Sequence, residues 1–221
     1  MRRLHENGLS ITLFAFFLII LVGQSLVGHQ HYNEEQQEHG QPTSPYVEYI
    51  TGSHFLEATM ENWESEFLQM FFYVVFTVFL YQKGSAESKD PEKPDPVDQD
   101  PTKSKTKRDA PWPVRKGGLA LTLYKHSLSL AFLLLFLVSF ALHAVGGKEE
   151  YNQDQQEHGR NQPVSVIQYV GTSRFWFESL QNWQSEFLAV FAMVVLSIFL
   201  RQKGSAESKQ VDAPHSETGK G

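Results

Sequence analysis

Four blocks nearly free of charge interrupt an otherwise polar chain: Leu9 to Val27, Phe67 to Tyr81, Leu128 to Val145 and Phe187 to Leu200. Runs of this kind have few stable destinations. In lipid every backbone N–H and C=O must find a partner inside the protein, which a helix achieves within a single segment. About 20 residues rising 1.5 Å each cross a hydrocarbon core of about 30 Å. The blocks therefore predict an all-α membrane protein with four transmembrane helices. The mean hydropathy of -0.32 hides this, because the polar remainder outweighs the apolar blocks in the average.

The blocks come in two matching pairs. QQEHG occurs at 36–40 and again at 155–159, NWESEFL at 62–68 becomes NWQSEFL at 182–188, and QKGSAESK stands unchanged at 82–89 and 202–209. The spacing is 119 residues before the loop and 120 after it, which places a one-residue insertion in the second loop, where insertions are tolerated. Each copy holds two spans and so returns to the side it left. Two parallel helix–loop–helix repeats follow, related by an axis along the membrane normal rather than by inversion. The expected organisation is a first repeat over 1–89, a disordered cytoplasmic linker over 90–118, a second repeat over 119–209 and a disordered tail over 210–221.

Charge sets the orientation. The segment from Gly28 to Asn62 contains no Lys or Arg but carries Glu34, Glu35, Glu38, Glu48, Glu57 and Glu61, and its counterpart has only Lys148, Arg160 and Arg174 as basic residues. Arg2, Arg3, the linker and the tail hold most of the rest. The positive-inside rule puts the loops outside and both termini in the cytoplasm of a multi-pass membrane protein. Arg2 and Arg3 before an apolar run also suit a signal peptide, but the same run recurs in mid-chain, so it is read as a span.

Within this frame the second helix of each pair should begin before its apolar block. Ser53 is the expected N-cap, Glu57 suits the first turn, and Phe55, Leu56, Met60, Trp63 and Phe67 form a helical stripe. Gly84 and Lys83 are the expected stop. Trp63 to Tyr81 and Trp183 to Arg201 each rise about 27 Å, which makes these four residues interface anchors. Glu66 and Glu186 then lie about one turn inside the tryptophans, at the depth of Gln24 and His143. A carboxylate at that depth should face the bundle, so Glu66 is paired with Gln24 and Glu186 with His143.

The linker holds six prolines and no apolar periodicity. Its basic residues Lys103, Lys105, Lys107, Arg108, Arg115 and Lys116 approach the third helix and suit anionic lipid headgroups.

Several functions are disfavoured. A formal net charge of -6 offers no basic face for nucleic acid, and the absence of cysteine removes thiolate chemistry and cysteine metal sites. His29, His31, His39 and His54 beside Glu34, Glu35 and Glu38 hint at a metal, but only His39 has a counterpart, His158, so no metal or cofactor is expected. In the blander reading His39 and Gly40 end a helix, with Gly40 at positive φ. No phosphate-binding, dinucleotide, esterase or zincin motif occurs, so an enzyme is not expected.

The NWxSEF and QKGSAESK pattern resembles a family of uncharacterised bacterial integral membrane proteins, present here as two fused copies. That resemblance implies a bacterial cytoplasmic membrane and no particular activity. The leading expectation is a structural or interaction protein whose partners are the bilayer and another membrane or envelope protein. One alternative is a small transporter or channel component using Glu66 and Glu186. Another is an envelope pH or ion sensor with His143 as the titrating group.

Overall fold

The computed structural model describes residues 6–159 and 162–219, so Arg2, Arg3 and Arg160, which enter the charge argument, lie outside the described residues. The described chain is helical, with no strand. In chain order the helices are α1 (Gly8–Glu38), α2 (Tyr46–Thr51), α3 (Ser53–Phe79), α4 (Trp112–Lys116), α5 (Gly118–Lys125), α6 (Ser127–Glu157), α7 (Val166–Val170) and α8 (Ser173–Phe199).

Three helices, α1, α6 and α8, are long and apolar enough to cross a membrane, and 6%, 17% and 6% of their most apolar stretches are buried. Outward-facing apolar surface on this scale is foreign to a water-soluble monomer and normal for a membrane protein. Helix α3 matches α8 at 27 residues. It falls outside that set because Glu61, Glu64, Glu66 and Gln69 break its apolar run.

The chain forms two units. The first, called here the loop unit, comprises residues 1–60 and 141–175; the second comprises 61–140 and 176–221.

In the loop unit α1 runs far past its apolar block to Glu38, and Gly40 at φ +69° follows the C-cap His39, as the QQEHG motif leads one to expect. The cap of α3 differs from expectation. Gly52 O accepts the N–H of Leu56, while Ser53 Oγ donates to Glu150 Oε1 at 2.5 Å. The sequence places Glu57 in the favourable first turn; it lies beyond that turn, and its residue is 8% exposed.

In the second unit the buried positions of α3 are Glu64, Ser65, Leu68 and Gln69, a stripe with a repeat of four. Trp183 Nε1 donates to Glu64 Oε1 at 3.1 Å, Gln69 Nε2 donates to Glu186 O at 2.7 Å, and Asn182 donates to Glu61.

The helix ends also differ from expectation. Helices α3 and α8 stop at Phe79 and Phe199, five residues before Gly84 and Gly204. QKGSAESK is a self-capped loop, which explains the early stop. The Ser88 hydroxyl accepts Gln82 N–H at 3.0 Å and Ser208 accepts Gln202 N–H at 2.9 Å. Ser85 and Ser205 each accept the N–H of the glutamate two residues on, at 3.1 Å, and the two glycines take φ of 84° and 85°. Serine hydroxyls thus replace the helical ladder as partners for the backbone.

The tail is docked on the first of these loops. Lys209, 2% exposed, donates to Gly84 O at 2.5 Å, Glu217 O at 2.8 Å and His215 O at 3.3 Å, while Thr218 Oγ1 accepts Gly84 N–H at 2.9 Å. Burial, reinforced by Arg201 and opposed by Glu217, pushes the Lys209 ammonium below its usual range.

The linker is locally ordered by its Asp-Pro steps. Asp95 and Asp100 accept the N–H two residues on at 3.0 Å and open short 3-10 turns at Pro96–Asp98 and Pro101–Ser104. Proline at the first helical position has no N–H to leave unpaired, so this chemistry suits the turn.

Candidate functional site

The polar loops are tied down by the same bonds at aligned positions. Ser44 N–H donates to Asn33 Oδ1 at 2.7 Å while Asn33 Nδ2 donates to Ser44 O at 3.1 Å. Val164 and Asn152 repeat both bonds at 2.7 and 3.1 Å. An asparagine side chain presents one acceptor and two donors, so it can satisfy an N–H and a C=O of the same residue and fix the loop against the helix.

Beneath each lock a tyrosine packs on a helical glycine. A Cβ at Gly28 would stand 2.2 Å from Tyr49 Oη, and one at Gly147 would stand 2.4 Å from Tyr169 Oη. Only glycine leaves room. A second aromatic ring completes each floor: Tyr32 and Tyr49 have centroids 5.6 Å apart, as do Tyr151 and Tyr169.

Beyond this point the two halves diverge. In the first, His54 lies against both rings, 5.1 Å from Tyr32 and 5.7 Å from Tyr49. A cavity of about 460 Å³ opens beside them, lined also by Glu48, Ser53 and Glu150. Burial first, then the Glu150 carboxylate and Tyr46, push the Tyr49 phenol above its usual range. In the second half Arg174 stands at the position aligned with His54. Its guanidinium lies 5.9 Å from the Tyr151 ring centroid and donates to Asp154 Oδ2 at 2.9 Å.

Deeper in the loop unit is a second polar group. His143 is 0% exposed and stacks on Phe175 with centroids 4.8 Å apart. A ring nitrogen of His143 and a carboxylate oxygen of Glu57 lie within 4.8 Å of each other, and Tyr169 Oη donates to Glu57 Oε1 at 3.5 Å. Gly146 lets the backbones of α3 and α6 close in: a Cβ there would be 2.9 Å from Glu57 N.

The residues singled out in sequence fall as follows. The sequence pairs His143 with Glu186; within its own unit the carboxylate that comes within 4.8 Å of a His143 ring nitrogen is Glu57. Glu66 is exposed, and its charge reaches Glu186. Gln24 is exposed, whereas the adjacent Ser25 is buried and bonds Tyr46 Oη at 2.7 Å. The buried carboxylate of NWESEF is Glu64, two residues before the one chosen.

Among the anchors, Trp63 packs on Phe67, Trp183 serves Glu64, and Tyr81 is 45% exposed. Arg201 instead caps α8, donating to Ser197 O at 3.2 Å, and reaches Gln210 O at 3.1 Å. Lys103, Lys105, Lys107, Arg108, Arg115 and Lys116 are all exposed, with Lys116 4.7 Å from the Trp112 ring centroid.

Of the cavity residues, Tyr32 and Glu150 escaped sequence reading and Glu48 entered only the charge argument, although the spacing did offer a signal, namely His54 aligned with an arginine. No curated protein and no solved structure matches the chain. A family model matches residues 1–220, and the chain belongs to the family described as a domain of unknown function (DUF6766).

Proposed function

We propose that this is a four-span membrane protein built by tandem duplication, in which α3 is the fourth span and the termini and linker face the bacterial cytoplasm. Its two acidic loops, 28–60 and 146–175, form an extracytoplasmic recognition module without catalytic activity. One observation carries this reading: the Asn33–Ser44 and Asn152–Val164 locks hold both loops in a fixed form. An acidic loop that served only as a solvated spacer would need no such bonds, whereas a preorganised surface avoids ordering costs on binding. The repeated strings and the lack of Lys and Arg between Gly28 and Asn62 support the duplication and the orientation.

A second reading is favoured by the buried His143 beside Glu57, which suits a proton-responsive element in the same module. Hydrogen exchange in reconstituted vesicles tests the first reading. The amides of Ser44, Tyr49, Val164 and Tyr169 are expected to be protected, with no ion flux above that of empty vesicles. Flux abolished by Glu66→Gln or Glu186→Gln would replace the recognition module by a transporter. A change in loop protection between about pH 5 and 8, lost in His143→Gln, would instead establish the sensor.

A further inference from the structure

We infer that the cavity beside Tyr32, Tyr49 and His54 binds a guanidinium or alkylammonium group of a small organic ligand, the class of cation that the second half of the chain supplies from its own Arg174. The inference rests on the recognition-module reading and names what that module would take.

The two halves build the same floor and fill it differently. Tyr151 and Tyr169 meet at a centroid distance of 5.6 Å and an angle of 48°; Tyr32 and Tyr49 meet at 5.6 Å and 41°. Over the first of these floors stands a guanidinium, 5.9 Å from the Tyr151 ring centroid, which donates to Asp154 at 2.9 Å. A delocalised cation between an aromatic face and a carboxylate gains from the ring quadrupole and from charge-assisted hydrogen bonding together.

The first half has the floor without the built-in cation. The serine preceding each residue and the phenylalanine following it are the same in both halves, Ser53-His54-Phe55 and Ser173-Arg174-Phe175. Only the middle side chain is exchanged, and histidine is the shorter. His54 lies against the rings, and about 460 Å³ remains open next to it. The walls carry the charge that a cation needs. Glu48 and Glu150 line the cavity, and no Lys or Arg is among its lining residues. Glu150 also acts electrostatically on both Tyr32 and Tyr49, so its carboxylate is felt at the floor itself.

An anion would meet two carboxylates here, and a neutral apolar ligand would have to desolvate them. A cation meets neither cost. The volume suits a small molecule or one arginine-sized side chain better than a folded partner.

Isothermal titration of the full chain in nanodiscs tests this, with methylguanidinium chloride and n-butylammonium chloride as probes and sodium chloride at equal ionic strength as the reference. At least one probe is expected to bind saturably at one site per chain, and comparison of the two shows which head group is preferred. His54→Arg, which places the second half's cation in the first half's cavity, should abolish that binding while the helix content by circular dichroism stays unchanged. Glu48→Gln combined with Glu150→Gln should weaken it at least about tenfold, the effect of losing about 1.4 kcal/mol.

No saturable binding of either probe by folded wild-type protein, or binding that His54→Arg leaves intact, would overturn the inference. Loop protection in hydrogen exchange is a separate readout. Protected loops without binding would sink the cation site alone, whereas unprotected loops would sink the recognition module.

Discussion

Replacing Gly146 by leucine is expected to destabilise the loop unit by about 3 kcal/mol or more, the upper end of what overpacking costs in a tight interior. The atoms in the way are backbone. A Cβ at Gly146 would lie 2.9 Å from Glu57 N, 3.2 Å from Glu57 Cα and 3.2 Å from Ser53 O, and none of these can swing aside as a side chain would. Glycine at such a crossing lets helices approach until their backbones touch. Forcing α3 and α6 apart would also separate Glu57 from His143 and from Tyr169. Thermal unfolding in detergent followed by circular dichroism reads the loss. Gly23→Ala supplies the control, since nothing stands within 4 Å of a Cβ there and alanine is the better helix former. Equal melting temperatures for the two variants would show that the close approach does not hold this unit together.

The second large effect is expected in the other unit. Glu64 is 0% exposed, and the Trp183 indole donates to its carboxylate at 3.1 Å. Trp183→Phe keeps an aromatic ring against Phe136, whose centroid lies 6.3 Å away, but removes that donor from a buried acid. The expected cost is about 1–3 kcal/mol, the usual penalty for leaving a buried polar group short of a partner. Glu64→Gln retains an acceptor for the indole and should cost less. The double variant Trp183→Phe with Glu64→Leu should recover much of the loss, because apolar replacement of both partners removes the desolvation penalty with the bond. A double-mutant cycle in detergent gives the coupling directly, and additive effects of the two substitutions would show that the contact is not energetically real.

The contrast between what was legible in sequence and what was not has a physical origin. Long helices were legible because long apolar runs without Pro leave little else to form, and the repeated strings fixed which positions to compare. The burial of Glu64 in place of Glu66 was not, because NWESEF puts two carboxylates two residues apart and depth alone cannot say which side of a helix faces inward. Helical phase decides it: Met60, Glu64 and Leu68 recur every four residues on the buried side, and Glu66 falls off that line.

Glu57 was misread for a related reason. A carboxylate near a helix start is ordinarily solvated and stabilised by the helix dipole, and nothing local announces that Gly146 and Gly147, about ninety residues away in sequence, will close over it. QKGSAESK read as a helix stop because glycine followed by polar residues usually is one. Its serines act first, by drawing the Gln82 and Gln202 amides out of the helix.

The cation cavity lay furthest from view. Its walls come from α1, α2, α3 and α6, and only the exchange of His54 for Arg174 between aligned positions marked the place.

Sided labelling tests the central claim most directly, namely four spans with the acidic loops on one side of the membrane and the linker on the other. The chain contains no cysteine, so single substitutions at Glu35, Gln155, Ser104 and Ser216 can each be probed alone with a membrane-impermeant maleimide. In intact cells Glu35→Cys and Gln155→Cys are expected to react, while Ser104→Cys and Ser216→Cys should react only after lysis. Labelling of Ser104→Cys in intact cells as fast as Glu35→Cys would contradict the account, because α3 would then not cross the membrane.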